Sequence, residues 1–469
     1  MEPLALSAAD LAAAAGGRVV TGDAGTAIGR IAIDSRTLAA GDFFVAIKGE
    51  KFDGQRFVGE ALSRGATGAM VQELPSDLPS MSGPPRVLIQ VADTTRGLQD
   101  IARDVRRRSG SRVVAITGSA GKTTTKEVSA EFLSSRYRVF RNKGNLNNHI
   151  GLPLSLLELR SRPEIAVVEL GMNHSGEIRR LVHIATPDVR VWTNVGDAHL
   201  GFFESADAIA DAKGEILEEA GPATVLVANA NDARVMSRAN RFAGRVVTFG
   251  IDTTADVSAT NVQHRGLSGV SAHVRTPKGE ADVITPLLGL GNLANVLAAT
   301  AVAVEFDVPV SEIVEGAARL RPATHRGELL RMPGGITLID DSYNSSPSAL
   351  RQALQTVAAA TGCARRVAVL GEMLELGAHA EGLHADSGRA AADAALDLLI
   401  AVGSGAARTL ADAAVAHGMP ASRVIYVATK EEAATLALER VRPGDLVLVK
   451  GSRGIGTDLV VDRLKAEFA

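Results

Sequence analysis

Three α/β domains are predicted, on three observations. Short β-branched runs bounded by Gly, Pro or Asn alternate with amphipathic stretches, which is how buried parallel strands and their crossover helices read. The alternation occurs in two sets, with the turn-rich "ARLRPATHRGE" (318–328) between them. At 469 residues the chain also exceeds what one hydrophobic core organises. The expected units are 1–108, 109–318 and 319–469, with a parallel sheet in the second and an open sheet in the third.

In the first unit, "GDFFVAIKG" (41–49) and "RVLIQV" (86–91) are strand-like among Ala-rich helical stretches, and the charged "RDVRRRSGSR" (103–112) closes it. Its Arg106–Arg108 cluster reads as a solvated helix end. In the second, "RVVAITG" (112–118), "EIAVVELG" (164–171), "VRVWTNVG" (189–196) and "ATVLVANA" (223–230) are the strands. In the third they are "GITLIDDSYN" (335–344), "RRVAVLGEM" (365–373), "LDLLIAVG" (396–403), "RVIYVA" (423–428) and "GDLVLVKGSRG" (444–454). These strands end in small or charged residues, and open α/β sheets bind ligands at the carboxyl ends of their strands.

Composition narrows the class. A formal net charge of −3 without a long basic run excludes a nucleic-acid or anionic-membrane partner as the default. The single cysteine, Cys363, forms no intramolecular disulfide and fits a reducing compartment; it reads as structural. The N-terminal stretch has no basic n-region, and no run of about 18 apolar residues occurs, so a cytoplasmic protein is expected.

The chemistry starts at "AITGSAGKTTTKE" (115–127), a strand end, a glycine turn, a lysine and then hydroxyls. Gly118 and Gly121 let the backbone curl so that the N–H groups from Gly118, Ser119, Ala120 and Gly121 face one anion. Lys122 supplies a cation for the outer phosphates, the Thr123 hydroxyl suits Mg²⁺, and the helix opening near Thr123 and Thr124 adds its positive end. Ile116 stands where the standard phosphate loop has its first glycine. The loop still predicts ATP or GTP binding and makes the central sheet P-loop ATPase-like, with a Rossmann-like sheet after it.

A phosphate loop alone does not separate a switch from a kinase or a ligase. Around it, "RNKGNLNNHIGLP" (141–153) reads as a polar turn, or as part of the site through its asparagines. Glu169 ends a buried strand, where a carboxylate is costly without a cation. Asp197 and His199 lie at another strand end, and the convergence of such ends on one phosphate loop favours a Mg²⁺ site. Lys213 alone would be a surface lysine. Asn292 and Asn295 open a helix, and capping explains one asparagine more easily than two.

In order, "TGSAGKTTT", "NLNNHIGLP", "ELGMNHSGEI", "NVGDAHLG…AKGEI", "GNLANVLAA", "THRGE" and "DDSYNSSP" resemble the Mur ligases, and "DSRTLAAGDFFVAIKGEKFDGQRF" (34–57) is similar to that family's uridine-nucleotide domain. The likeness spans roughly 30–460. No Asn-Pro-Arg-type motif of the diamino-acid-adding members occurs, while "DSYNSSP" and "VLGEMLELG" are similar to the dipeptide-adding member.

The resemblance implies ATP-dependent ligation of D-alanyl-D-alanine to UDP-N-acetylmuramoyl-tripeptide through an acyl phosphate; nothing in the sequence demands more than a monomer. It implies Mg²⁺ on Thr123 and Glu169, and a second ion with His199 and a carbamylated Lys213. Lys122, His199 and Lys213 would be catalytic. Asn292, Asn295, Arg326 and Asp341 would meet the nucleotide, the last two from a C-terminal domain that closes over ATP and binds the dipeptide. Ser35 and Arg36 would hold the uridine diphosphate, with Asn145, Asn147, Asn148, Tyr343 and Asn344 also on the substrate side. Another Mur-type ligase or a folylpolyglutamate synthetase-like enzyme is the alternative, and the N-terminal motif argues against the folate reading. A nucleotide-dependent switch is the rival of another class.

Overall fold

The computed structural model describes residues 2–49, 52–75, 85–197 and 200–468. Its strands form three sheets. The first holds β1 (Arg18–Thr21), β2 (Ile31–Ala32), β3 (Phe43–Val45), β4 (Gly68–Val71) and β5 (Val87–Gln90), in the order β1-β5-β4-β3-β2. The central sheet holds β6 (Arg112–Thr117), β7 (Val139–Arg141), β8 (Ile165–Glu169), β9 (Val189–Trp192), β10 (Val225–Asn229), β11 (Arg245–Ile251), β12 (Val257–His264), β13 (Val270–Thr276) and β14 (Gly279–Thr285). Its order is β14-β13-β12-β11-β10-β9-β6-β8-β7. The last sheet holds β15 (Glu328–Met332), β16 (Ile336–Asp341), β17 (Arg365–Gly371), β18 (Leu398–Val402), β19 (Val424–Val427) and β20 (Asp445–Lys450), ordered β15-β16-β20-β17-β18-β19.

The central sheet departs from the expected parallel one. From β7 to β12 the pairing is parallel, but β12, β13 and β14 form an antiparallel meander joined by a single 3-10 turn, Gly266–Ser268, and a short turn rather than by α-helices. The reason is visible in alternation such as "VSAHVRT" (270–276), with one side buried and one exposed, and in the short turn to β14. Parallel strands such as β8 and β9 are instead buried along their whole length.

Each large sheet separates two apolar layers. One layer on the central sheet contains Val114, Ile116, Phe132 and the helix Gly289–Glu305, which is apolar on almost every side and correspondingly buried. The other is continuous with the N-terminal sheet: Phe43, Met70 and Leu98 belong to the same cluster as Ala115, Leu152 and Trp192. Arg160 adds polar ties, donating to the carbonyls of Leu4, Ile28 and Gly29. Among the described residues no helix is long and apolar enough to cross a membrane.

The basic cluster at the end of the helix Thr94–Ser109 is not uniformly solvated. Arg106 is buried; its guanidinium donates to the carbonyls of Ala185, Ser111 and Thr186 and pairs with Asp188 at 2.7 Å. Burial pushes its pKa down and Asp188 pushes it back up. Arg106→Met should therefore destabilise the fold by about 3 kcal/mol, because carbonyls and a carboxylate lose their donor. Urea unfolding followed by the fluorescence of the single, fully buried Trp192 measures this; an unchanged midpoint would contradict it.

Candidate functional site

The site lies at the carboxyl ends of β8, β6 and β9, which are neighbours in the sheet. After β6 the chain makes its glycine turn and enters the helix Lys122–Leu133. Two positions demand glycine. Gly118 has φ +148°, and a Cβ there would stand 1.9 Å from Thr193 Oγ1; Gly121 has φ +82°, and a Cβ would stand 2.1 Å from Asn295 Oδ1. The loop is clamped from β9: Ala120 N donates to Asn194 Oδ1 (2.9 Å), and Gly196 N donates to Ser119 Oγ (2.8 Å). Lys122 curls back so that its Nζ donates to Gly118 O at 2.8 Å.

Glu169, 4% exposed, is satisfied by neutral donors rather than a direct ion pair. Thr123 Oγ1 donates to one carboxylate oxygen (2.7 Å) and Asn147 Nδ2 to the other (2.8 Å). Lys122 is near enough for Glu169 to raise its pKa, against a larger lowering by burial and a further lowering by Arg326. Thr123 and Glu169 thus form a hard-oxygen pair next to the phosphate loop, a donor set that fits Mg²⁺ shared with phosphate. Among the described residues no three His, Cys, Asp or Glu side chains form a cation cage. His199 lies outside the described residues.

Lys213 is buried, at 1% exposure, in the last turn of the helix Ala206–Gly214. Among the described residues nothing forms a hydrogen bond or ion pair with its Nζ. Burial and the nearby charge of Lys122 hold its pKa well below the usual lysine value. A buried amine whose protonation is disfavoured thus lies near the phosphate-loop lysine, and the surface reading fails.

The cleft in front of the loop, about 620 Å³, is closed on its far side by the last sheet. Ser119, Ala120, Gly121, Lys122, Thr124, Asn292, Asn295, Arg326 and Asp341 line it. Neither asparagine caps its helix: Asn295 accepts from Thr125 Oγ1 and donates to Asn292, which donates to Leu288 O. Tyr343 and Asn344, expected on the substrate side, line this same cleft. The Arg326 and Arg453 guanidinium carbons stand 4.2 and 5.0 Å from the Tyr343 ring centroid, favourable cation–π placements. Asp341 is held by the buried Lys450 at 2.6 Å.

Other expected residues lie elsewhere. Asn148 accepts from the N–H groups of Ile150 and Gly151 and so shapes the start of the next helix; Asn145 is exposed in the turn before it. Ser35 and Arg36 sit on the N-terminal sheet's short turn, Ser35 buried and Arg36 paired with Asp34. Neither lines the cleft. Sequence reasoning missed Asn194, Asn229 and Asn231, which do line it. Their signal was an asparagine at or just beyond the ends of two buried strands. A second cavity of about 400 Å³, lined by Arg265, Arg331 and the half-buried Cys363 among others, contains no phosphate-loop residue.

Three family profiles match in chain order: the Mur ligase family catalytic domain over 27–106, the Mur ligase middle domain over 116–303, and the Mur ligase glutamate ligase domain over 325–453. The chain belongs to the Mur ligase family. It is 33% identical to the UDP-N-acetylmuramoyl-tripeptide–D-alanyl-D-alanine ligase of Bacillus subtilis, covering 94% of this chain and 93% of that one. The fold is similar to crystal structure I of MurF from Acinetobacter baumannii, with a TM-score of 0.89 and 32% identity over 99% of this chain and 100% of that one. MurF ligase from Thermotoga maritima, solved in complex with ADP, superposes with a TM-score of 0.81 at 28% identity, covering 93% and 97% of the two chains.

A lysine whose pKa is lowered by burial costs stability. With its native pKa depressed, the unfolded chain binds the extra proton, so the penalty is absent above the unfolded pKa near 10.4 and grows as pH falls toward the native value. Lys213→Met, which keeps the bulk without the amine, should raise the melting temperature of the ligand-free protein by a few degrees at pH 7. The gain should shrink toward pH 10. Calorimetry at both pH values checks the sign.

Proposed function

We propose that this protein ligates D-alanyl-D-alanine to UDP-N-acetylmuramoyl-tripeptide at the expense of ATP. The observation that carries the reading is the juxtaposition, within a Mur ligase fold, of the phosphate loop, the Thr123–Glu169 oxygen pair and the buried Lys213, whose pKa burial lowers. The free carboxylate of the tripeptide attacks the γ-phosphorus and ADP departs. The dipeptide amine then attacks the acyl phosphate, loses its proton and expels phosphate, leaving an amide. Phosphorylation is needed because a carboxylate oxygen leaves poorly. Phosphoryl transfer in turn needs alignment and charge neutralisation more than covalent help from the enzyme.

In this reading the loop N–H groups and Lys122 hold the outer phosphates. Thr123 and Glu169 would hold Mg²⁺, which would supply neutralisation of phosphate charge. Asn292 and Asn295 face the nucleoside, and Arg326 and Asp341 reach the nucleotide from the last domain. Ser35 and Arg36 take the uridine diphosphate, with Asn145, Asn147 and Asn148 between the two substrate ends, and His199 serves a second metal position. Lys213 acts as a carbamate. CO₂ adds only to a neutral amine, and burial keeps this amine neutral at a pH where an exposed lysine is protonated. The product is an anion where an ammonium group would oppose Mg²⁺. The protein works as a monomer in the cytoplasm, its last domain swinging about the segment 321–324.

The test of the whole reading is phosphate release that requires both the UDP-tripeptide and D-alanyl-D-alanine; release with either alone would reject it. Lys122→Ala should lower turnover by roughly a hundredfold or more, about 3 kcal/mol of lost transition-state contact, with the fold intact by circular dichroism. Lys213→Ala should be nearly inactive, and a short carboxylic acid in the buffer should restore part of its rate by filling the vacated anion position. Full activity of Lys213→Ala in CO₂-depleted buffer would remove the carbamate from the mechanism.

A further inference from the structure

Beyond the nucleotide cleft, the last domain touches the central one at a second place. The helical turn Leu200–Phe202 follows β9 and Asp197, and meets the loop that precedes the turn Gly377–His379. Gly201 N donates to Glu375 O at 2.7 Å. The approach is so close that neither partner has room for a side chain. A Cβ on Gly201 would stand 2.8 Å from Gly377 N and 2.9 Å from Glu375 O; one on Gly377 would stand 2.8 Å from Gly201 Cα. Glu375 and Gly377 both hold positive φ, +64° and +54°, so the loop is bent to present that carbonyl.

The loop is braced from behind by the strand ends that line the cleft. Leu374 N donates to Ser452 Oγ (2.9 Å), and Ser452 lies two residues after Lys450, which grips Asp341 and Asn344 O. Met373 N donates to Nε2 of His384, a fully buried imidazole whose Nδ1 faces Ala380 O at 2.7 Å. The Leu200–Phe202 turn also leans on the chain beyond β8, with the Phe202 ring edge-on to His174 at 5.2 Å.

We propose that the Glu375–Gly201 contact is a positioning strut, through which the seated last domain fixes the turn Leu200–Phe202 that leads into the helix carrying Lys213. The inference rests on the ligase reading, since it assigns the strut a role in that reaction. The contact joins residues 174 positions apart across two sheets, so it exists only when the last domain lies over the cleft. Nucleotide grip at one end of the domain and the position of the turn Leu200–Phe202 at the other are thereby linked through Lys450 and Ser452.

Gly201→Ala and Gly377→Ala test the strut, with Gly382→Ala, whose Cβ meets nothing within 4 Å, as the control. Gly201 lies outside the positive-φ region, so its variant reports the overlap without backbone strain. Each should lower kcat roughly tenfold to a hundredfold, the scale expected when reacting groups are misplaced by about 1 Å, and raise the Mg²⁺ concentration for half-maximal rate. ADP affinity and melting temperature should match wild type. The double variant should be no slower than the worse single one, because both break one contact. Hydrogen exchange of the 200–204 amides with an ATP analogue and UDP-tripeptide reads the contact without turnover, and Gly377→Ala should lose the protection that wild type shows. Wild-type kcat in Gly201→Ala, multiplying losses in the double variant, equal losses of ADP affinity and melting temperature, or an unprotected Gly201 amide in wild type would each overturn the strut. Protection of the phosphate-loop amides in the same experiment reports that the ligands are bound, so an unprotected Gly201 amide beside a protected loop overturns the strut and leaves the ligase reading standing.

Discussion

The hydrogen bond from Thr123 to Glu169 is the contact on which the site depends. It joins the first turn of the phosphate-loop helix to the last residue of β8, and it forms because β8 and β6 are paired in register through Ile116 and Glu169. A carboxylate buried this deeply would be costly without partners, and Thr123 and Asn147 supply them without adding charge. Both carboxylate oxygens are thereby engaged, one by the hydroxyl and one by the amide. With β9 on the other side of β6, Asn194 secures the loop from the opposite flank. Strand order thus does what no single motif does, converging three strand ends on one anion position.

The parts legible in the sequence were those whose signal is local. Buried strands such as "EIAVVELG", the glycine turn and the helix after it all announce themselves within ten residues or so. Glu169 was legible as a problem, a charge at the end of an apolar strand, and its neutral solution was not, because Asn147 arrives from a turn 22 residues earlier. Arg106 was misread for the same reason: its acceptors are Ser111 close by and Ala185, Thr186 and Asp188 some 80 positions away. The meander β12–β14 did carry a local signal, alternation of period two, but it was absorbed into the βαβ pattern around it. Lys213 rose above a surface lysine only through resemblance, and burial is the physical property that a helix sequence of alanines and aspartates did not reveal.

The last domain contributes to the cleft in two ways that differ in rigidity. Asp341 and Lys450 end adjacent parallel strands and hold each other at 2.6 Å, with Lys450 buried, so this pair is part of the sheet's own architecture. Arg326 and Arg453 instead lie against the Tyr343 ring, a contact that orients a guanidinium without using its donors. The first arrangement fixes the floor of the domain's face; the second places the Arg326 guanidinium at the cleft by stacking rather than by an ion pair.

Charge supplies the remaining link between structure and reaction. Lys122 and Arg326 each oppose protonation of their neighbours here, since Lys122 lowers the pKa of Lys213 and Arg326 lowers that of Lys122. Glu169 is the one carboxylate acting directly against this within the loop's surroundings, and it is occupied by hydrogen bonds. Such a cluster is under-neutralised by design of its neighbours rather than by accident of one residue. A polyphosphate entering the cleft would counter the repulsion on Lys122 and favour its charged form, whereas Lys213, more deeply buried and with no hydrogen-bond or ion-pair partner among the described residues, would keep its lowered pKa. What surrounds each side chain thus sets apart two groups of the same chemistry.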